Sequence, residues 1–218
     1  MTRALPTDNC PPSTYPKPFT MYYQKNPLFE AVALGAHRIY LSSFPIPELK
    51  TDPNRFEDLW NSHPEEYHTL RMHGREVATP RWQQAYGRNY NYSGARNNAL
   101  PITPELQRVL NWSQEQIDPG LNGLLLNWYD GKLGHYIGAH RDDTRDLQDD
   151  SPIVTISLGE ERVFRMRPYQ GSGFRDLIVR DGDVVIVPAD TNRHYTHEVP
   201  RFKRYAGRRI SITLRAYR

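Results

Sequence analysis

From residue 121 to the C-terminus, apolar and polar positions fall into short runs parted by Gly, Asp, Asn and Pro. The runs at 121–129, 135–140, 152–158, 162–167, 176–179, 183–187, 195–199 and 209–217 have strand length, and the last alternates with a period of two over 209–215. About eight short strands in roughly a hundred residues suit a barrel or a double-sheet jelly roll. Earlier in the chain the pattern is helical. Asn26 offers a cap, Pro27 a first-turn residue and Gly35 a terminator around a short helix at 28–34. A strand at 38–43 follows, then helices at 56–62 and 103–117. Thr103 and Pro104 open the latter, and Leu106, Val109, Leu110 and Ile117 fall on one face. Residues 1–20 carry Pro6, Pro11, Pro12, Pro16 and Pro18, too many fixed φ angles and lost donors for a helix or central strand. The reading is an α+β chain: an extended arm at 1–20, then a single domain at 21–218 whose helices sit in the first half and buttress one sheet.

Composition narrows the setting. Of the 218 residues, 38% are apolar, which is lean but enough for one core in a chain of this length. Cys10 is the one cysteine, so neither an internal disulfide nor a Cys-rich zinc module can form. No stretch approaches the ~20 apolar residues of a membrane span, and no N-terminal apolar segment reads as a signal peptide. A soluble, intracellular protein of the cytoplasm or nucleus, working as a monomer, is expected. The 28 Lys and Arg against 25 Asp and Glu leave a net charge of +3, which permits a polyanionic partner without requiring one.

Three features carry candidate chemistry. Along 209–215 the period of two puts Arg209, Ser211, Thr213 and Arg215 on one face and Ile210, Ile212 and Leu214 on the other. The polar face is either a solvated surface or an anion site. The two arginines stand roughly 20 Å apart along an extended strand, so inward-pointing side chains would grip both ends of an elongated dicarboxylate. His140-Arg141-Asp142 places an imidazole and a carboxylate on one side of the chain. His197, on a later strand, can return to the opposite wall. Two histidines and one carboxylate form the facial triad of non-haem iron oxygenases, with coordination positions left for a bidentate cosubstrate and oxygen. His135 and His194 compete as ligands, and a zinc site using them is compatible with the spacing; both are read as satisfied or exposed histidines. Asn127 and Tyr129, two apart on one strand, offer an amide and a phenol to whatever the arginines hold.

Asn127-Trp128-Tyr129, His140-Arg141-Asp142, His197-Glu198-Val199-Pro200 and the pair Arg209 and Arg215, in that order, resemble the signature of the AlkB-type 2-oxoglutarate and Fe(II) dependent dioxygenases. The segments 80–87 and 90–94 and the stretch from Asp143 through Ser151-Pro152-Ile153 are similar to the animal-type nucleic-acid repair members. The resemblance implies a double-stranded β-helix (jelly roll) in the C-terminal two thirds. It implies iron on His140, Asp142 and His197, and 2-oxoglutarate on Asn127, Tyr129, Arg209, Thr213 and Arg215, with O2 as the oxidant and no catalytic side chain beyond the metal ligands. Substrate contacts fall to Arg81, Tyr90, Tyr92 and Asp143. The implied activity is oxidative removal of N-alkyl groups from nucleic-acid bases with release of formaldehyde; the alternative is the same oxygenase core acting on a small metabolite or protein. Three positions depart from the pattern. Thr144 stands where an acidic residue usually helps read the base, and Ser211 stands where asparagine is favoured. Met72-His73-Gly74 offers no large aromatic wedge for a flipped base, which favours single strands or free nucleotides over duplex DNA.

Overall fold

The computed structural model describes residues 22–44, 53–72, 74–92 and 94–218, so the arm expected at 1–20 lies outside the described residues. In chain order the elements are α1 (Tyr22–Lys25), β1 (Glu30–Leu34), β2 (His37–Ser43), α2 (Pro53–Asn61), β3 (Thr69–Met72), β4 (Arg75–Ala78), β5 (Trp82–Tyr86), β6 (Tyr90–Tyr92), β7 (Ala95–Asn97) and α3 (Pro104–Gln116). There follow β8 (Gly123–Asp130), β9 (Ile137–His140), β10 (Ile153–Gly159), β11 (Arg162–Pro168), β12 (Arg175–Val179), β13 (Asp183–Val187), α4 (Ala189–His194), β14 (Tyr195–Val199) and β15 (Arg208–Arg215). A seven-stranded sheet in the order β1-β2-β13-β10-β15-β8-β5 faces a four-stranded sheet in the order β12-β11-β14-β9. Every pairing within them is antiparallel. This is the expected jelly roll.

Alternation along the large sheet builds two separate cores. Leu124, Leu126 and Trp128 of β8, Val154, Ile156 and Leu158 of β10 and Ile210, Ile212 and Leu214 of β15 turn to its outer face. There they meet Trp60 of α2 and Leu106, Val109 and Leu110 of α3. Trp128 is fully buried, and its indole N–H donates to the Leu59 carbonyl at 2.9 Å, so the polar tip of the ring is satisfied inside that core. Residues of opposite parity turn inward, where Tyr129, Ile153, Val185 and Val187 meet Phe164, Met166, Val179 and Val199 of the small sheet. Thr103 caps α3 as expected, accepting from the Leu106 N–H.

Three expectations are corrected. Residues 28–34 do not form a helix: Glu30–Leu34 is an edge strand in which Val32 and Leu34 are buried and their neighbours exposed, a period of two rather than 3.6. The capping signal goes instead into a turn, where the Asn26 carboxamide accepts from the Leu28 N–H. Gly35 does take the left-handed conformation, at φ +60°, but as half of the two-residue hairpin turn between β1 and β2. Nor is the first half helical throughout. It supplies β3 to β7, of which β5 joins the large sheet beside β8. The last strand also stops at Arg215, short of residue 217.

Ile156 has no exposed surface and sits where β10 meets the helices, so Ile156→Ala is expected to cost about 2–5 kcal/mol, while Ile178→Ala on edge strand β12, 37% exposed, stays within about 0.5 kcal/mol. Urea unfolding checks both, with the midpoint shifting at constant slope.

Candidate functional site

Strand register builds the centre of the site. His140 at the end of β9 and His197 in β14 are direct cross-strand partners, and their rings lie 4.3 Å apart. Asp142, two residues past the end of β9, points its Oδ1 at both: 3.6 Å from His140 Nε2 and 3.8 Å from His197 Nε2. Among the described residues this is one of two His/Asp clusters whose ligand atoms lie close enough to share an ion, and the other, His37, Asp190 and His194, is on the exposed outer surface. Asp142 lies outside regular structure but is held at both backbone atoms. Asn192 of α4 accepts its N–H and donates to its carbonyl, each at 3.0 Å.

The electrostatics leave these three groups with free lone pairs. Burial pushes the His197 pKa down to about 3, with His140 adding to the shift, and burial likewise lowers that of His140. Both imidazoles are therefore neutral at neutral pH. The His140 Nδ1 lies 2.9 Å from the Gly138 carbonyl, which selects the tautomer that leaves Nε2 unprotonated. For Asp142, burial alone would raise the pKa, but the Arg215 guanidinium, then His197 and His140, outweigh it and hold the carboxyl at about 2. Its Oδ2 takes Arg215 Nε at 2.8 Å and NH2 at 2.6 Å, and its Oδ1 is buried without a hydrogen-bond partner. An unpaired buried carboxylate oxygen is costly unless a cation completes it. Two neutral imidazoles and one carboxylate oxygen converging on one point form the donor set of a divalent first-row metal.

The polar face of β15 resolves as interior. All residues of Arg209–Arg215 are buried, so no solvated face exists. Arg209, Ser211, Thr213 and Arg215 line a cavity with about 430 Å³ of empty space, together with Asn127, Tyr129 and the three convergent ligands. Cross-strand pairing sets Arg209 beside Tyr129 and Ser211 beside Asn127. Arg209 is 1% exposed; its NH2 donates to Ser157 Oγ at 2.8 Å, while Nε and NH1 are buried without partners. Burial is the main force pulling its pKa down to about 10, which still leaves it charged. A buried guanidinium with two unmet donors and no carboxylate partner among the described residues is prepared for an anion. Asn127 turns its carbonyl to Arg81 Nε at 2.8 Å and Gln83 Nε2 at 2.7 Å, which leaves its amide protons for the cavity.

The remaining expected residues surround a second opening. Arg81 and Tyr90 stand on the wall between the inner cavity and a wider one, about 1050 Å³ including its open mouth, which also takes in Tyr92 and His140. The Tyr90 and Tyr92 rings are parallel, Tyr92 meets His140 edge-on, and the Arg215 guanidinium lies 4.8 Å from the Tyr90 ring. Asp143 is at the outer rim, tied to Arg145. Thr144 is exposed beside it, and His73 lies outside the described residues. His135 and His194 stay out of the centre. His135 is occupied by the Tyr67 hydroxyl and the Asp130 N–H, and His194 stacks on His37 at the surface. The sequence reading missed Asn192, Ser157 and Gln83. Ser157 was within reach, since it shares the inward parity of Thr155 on β10; a short helix such as α4 carries no such pattern.

A family model described as the 2OG-Fe(II) oxygenase superfamily matches residues 51–215. DNA oxidative demethylase ALKBH2 from Mus musculus is 32% identical over 157 residues, covering 67% of this chain and 65% of the relative. The ALKBH2 of Homo sapiens is 31% identical over 157 residues, covering 60% of the relative. The chain thus spans a little under two thirds of the length of these relatives. Among solved structures, that of OsALKBH1 superposes with a TM-score of 0.52 at 17% identity over 87% of this chain and 100% of that one. A 2OG-Fe(II) oxygenase family oxidoreductase from Burkholderia pseudomallei gives 0.53 at 18% identity over 90% and 88%. Both share the fold.

Because Asn192 fixes both backbone atoms of Asp142, Asn192→Ala is expected to weaken Mn²⁺ or Co²⁺ binding about tenfold or more. A metal titration checks this, with the thermal midpoint in chelator showing that the fold survives.

Proposed function

Because the chain belongs to the 2OG-Fe(II) oxygenase superfamily and, within it, to the AlkB family, we propose that it is a dioxygenase that oxidatively removes N-alkyl groups, methyl foremost, from nucleic-acid bases and releases formaldehyde. One observation carries the reading: a buried, unpartnered Asp142 oxygen facing two neutral histidines, in the same cavity as a buried Arg209 that lacks an anion. Relatives named DNA oxidative demethylase supply the substrate class.

His140, Asp142 and His197 would hold Fe(II), and Asn127, Tyr129, Arg209, Thr213 and Arg215 would hold 2-oxoglutarate. Bound iron, 2-oxoglutarate and O2 together supply hydroxylation of an N-methyl C–H bond, after which the carbon leaves as formaldehyde. The protein's share is placement. Arg209 offers its two unmet donors to the distal carboxylate, and Ser157 Oγ fixes the guanidinium plane. Arg215 keeps Asp142 ionised and aimed. Phe164, stacked on His197 at 5.4 Å, together with Ile137 and Val199, excludes water from the inner cavity. No side chain has to act as a general base. The base enters by the wider cavity, against Tyr92 and beside Arg81. A single strand is the favoured form, since the net charge is small and the segment 72–74 lacks a large aromatic wedge.

Anaerobic loading with Fe(II) and 2-oxoglutarate, then oxygen and a short methylated oligonucleotide, is expected to give succinate and formaldehyde in equal amounts. Succinate alone would move the reading to a metabolite or protein substrate, and neither product would overturn it. His140→Ala or Asp142→Ala is expected to abolish both products. Arg209→Met is expected to raise the 2-oxoglutarate KM about ten- to a hundredfold, the loss of a charge-assisted hydrogen-bond pair, with the oligonucleotide KM nearly unchanged. Steady-state kinetics in each substrate separately checks that split.

A further inference from the structure

Away from both cavities, the second His/Asp cluster among the described residues also brings its ligand atoms within 4.8 Å of one another. It joins two elements. His37 opens β2, while Asp190 and His194, four apart on α4, share one face of that helix. The Asp190 carboxylate reaches both rings: its Oδ2 is 2.6 Å from His37 Nδ1, and its Oδ1 is 3.5 Å from His194 Nδ1. The rings themselves stack at 4.4 Å with 21° between their planes. The Tyr195 ring meets His37 edge-on at 5.8 Å, and its hydroxyl donates to the Leu34 carbonyl, so His37 has a fixed wall behind it. His194 Nδ1 lies 2.9 Å from the Asp190 carbonyl, which selects the tautomer with a free lone pair on Nε2. The side chains are 22% (His37), 57% (Asp190) and 54% (His194) exposed, so an ion reaches them from solvent and keeps water in its remaining positions.

A hydrogen-bonded pair accounts for His37 and Asp190 alone. The second imidazole, stacked on the first and turned to the same carboxylate, completes a donor set. Two nitrogens and one carboxylate suit zinc and its first-row neighbours, whereas magnesium and calcium take sites built from oxygen. Arg193 is the competing cation, with its NH2 3.8 Å from Asp190 Oδ1, but its NH1 also reaches Asp150 at 3.6 Å and so has a second carboxylate to pair with. The position of the cluster gives it a consequence. Thr191 Oγ1 donates to the Arg38 carbonyl at 2.6 Å, which already joins α4 to β2 beside His37. The next residue, Asn192, holds both backbone atoms of Asp142. We infer that His37, Asp190 and His194 form a second cation site, for zinc or a similar first-row divalent ion, that staples α4 to β2 and braces the helix from which Asp142 is held. This inference does not depend on the demethylase reading.

Zinc bound to the full chain is counted by equilibrium dialysis and elemental analysis, first in a His140→Ala/Asp142→Ala background that removes inner ligands. One zinc ion is expected to remain and to raise the thermal midpoint, as any ligand selective for the folded state does. Adding His194→Ala or Asp190→Asn is expected to weaken that ion well beyond the roughly tenfold that loss of a supporting hydrogen bond costs. Both positions are exposed, so midpoints measured in chelator are expected to stay together. Should the background fail to fold, the otherwise unaltered chain is expected to bind one zinc ion more than His194→Ala does. Equimolar Mg²⁺ is expected to leave the zinc in place, and displacement would overturn the choice of cation. A folded background that binds no zinc, or a count that His194→Ala leaves unchanged, overturns the site itself.

Discussion

Polar side chains buried between two sheets must be satisfied, and the architecture around the inner cavity follows from that constraint. The inward parity of β8, β10 and β15 delivers Asn127, Thr155, Ser157, Arg209, Ser211, Thr213 and Arg215 into the space that the small sheet covers. Leaving a guanidinium there without partners costs several kcal/mol. Each arginine is therefore answered: Arg215 by Asp142, Arg162 by Glu160 and the Gly207 carbonyl, Arg209 in part by Ser157. What stays unanswered is, apart from Trp82 Nε1, gathered in one place. Asp142 Oδ1, Arg209 Nε and NH1, and Arg215 NH1 are among the few buried polar atoms without partners, and all belong to the cavity where a cation and a dianion would sit. The unmet hydrogen-bonding capacity of the fold marks out its ligands.

The same parity supplies stability from the opposite face. Each inward polar residue of β8 and β15 alternates with an outward Leu, Ile or Trp packed on α2 and α3. The helices thus cover the outer face of the strands that present the site, and they hold the register in which Tyr129 stands beside Arg209 and Asn127 beside Ser211. A one-residue slip would exchange core for cavity along the whole strand. Register and site geometry are one property of this sheet.

Local period was the legible part of the sequence. The alternation in 209–215 is strict, and that strand, like the short runs at 183–187 and 195–199, appears within a residue or two of where the pattern puts it. The His140, Asp142 and His197 grouping was legible because two of its members are fixed by strand pairing. Failures came where a local signal served another purpose. Asn26, Pro27 and Gly35 satisfy the rules for a helix, but tertiary burial of Val32 and Leu34 decides for a strand, and the same residues then serve as turn formers. Strands β4, β6 and β7 were missed because they are short and largely exposed, so no buried face imprints a period, and β3 is equally short. Asn192 was invisible because its role depends on α4 meeting the loop after β9, fifty positions away in sequence.

Arg81 and Asn127 join the two cavities into one device. Asn127 turns its carbonyl to Arg81 and its amide protons to the inner cavity, so a residue of the inner cavity and one on the wall of both cavities share a hydrogen bond of 2.8 Å. A guanidinium held at Nε cannot swing out to the surface without breaking that bond, and Arg81 is only 7% exposed. Its place is therefore inside, on the wall shared by the two cavities. Exposed cations stand at the rim instead, where Arg141 and Arg193 lie beside the mouth. The chain's small net charge is then no obstacle, because an anionic strand needs a few cations at that rim and not a basic surface overall.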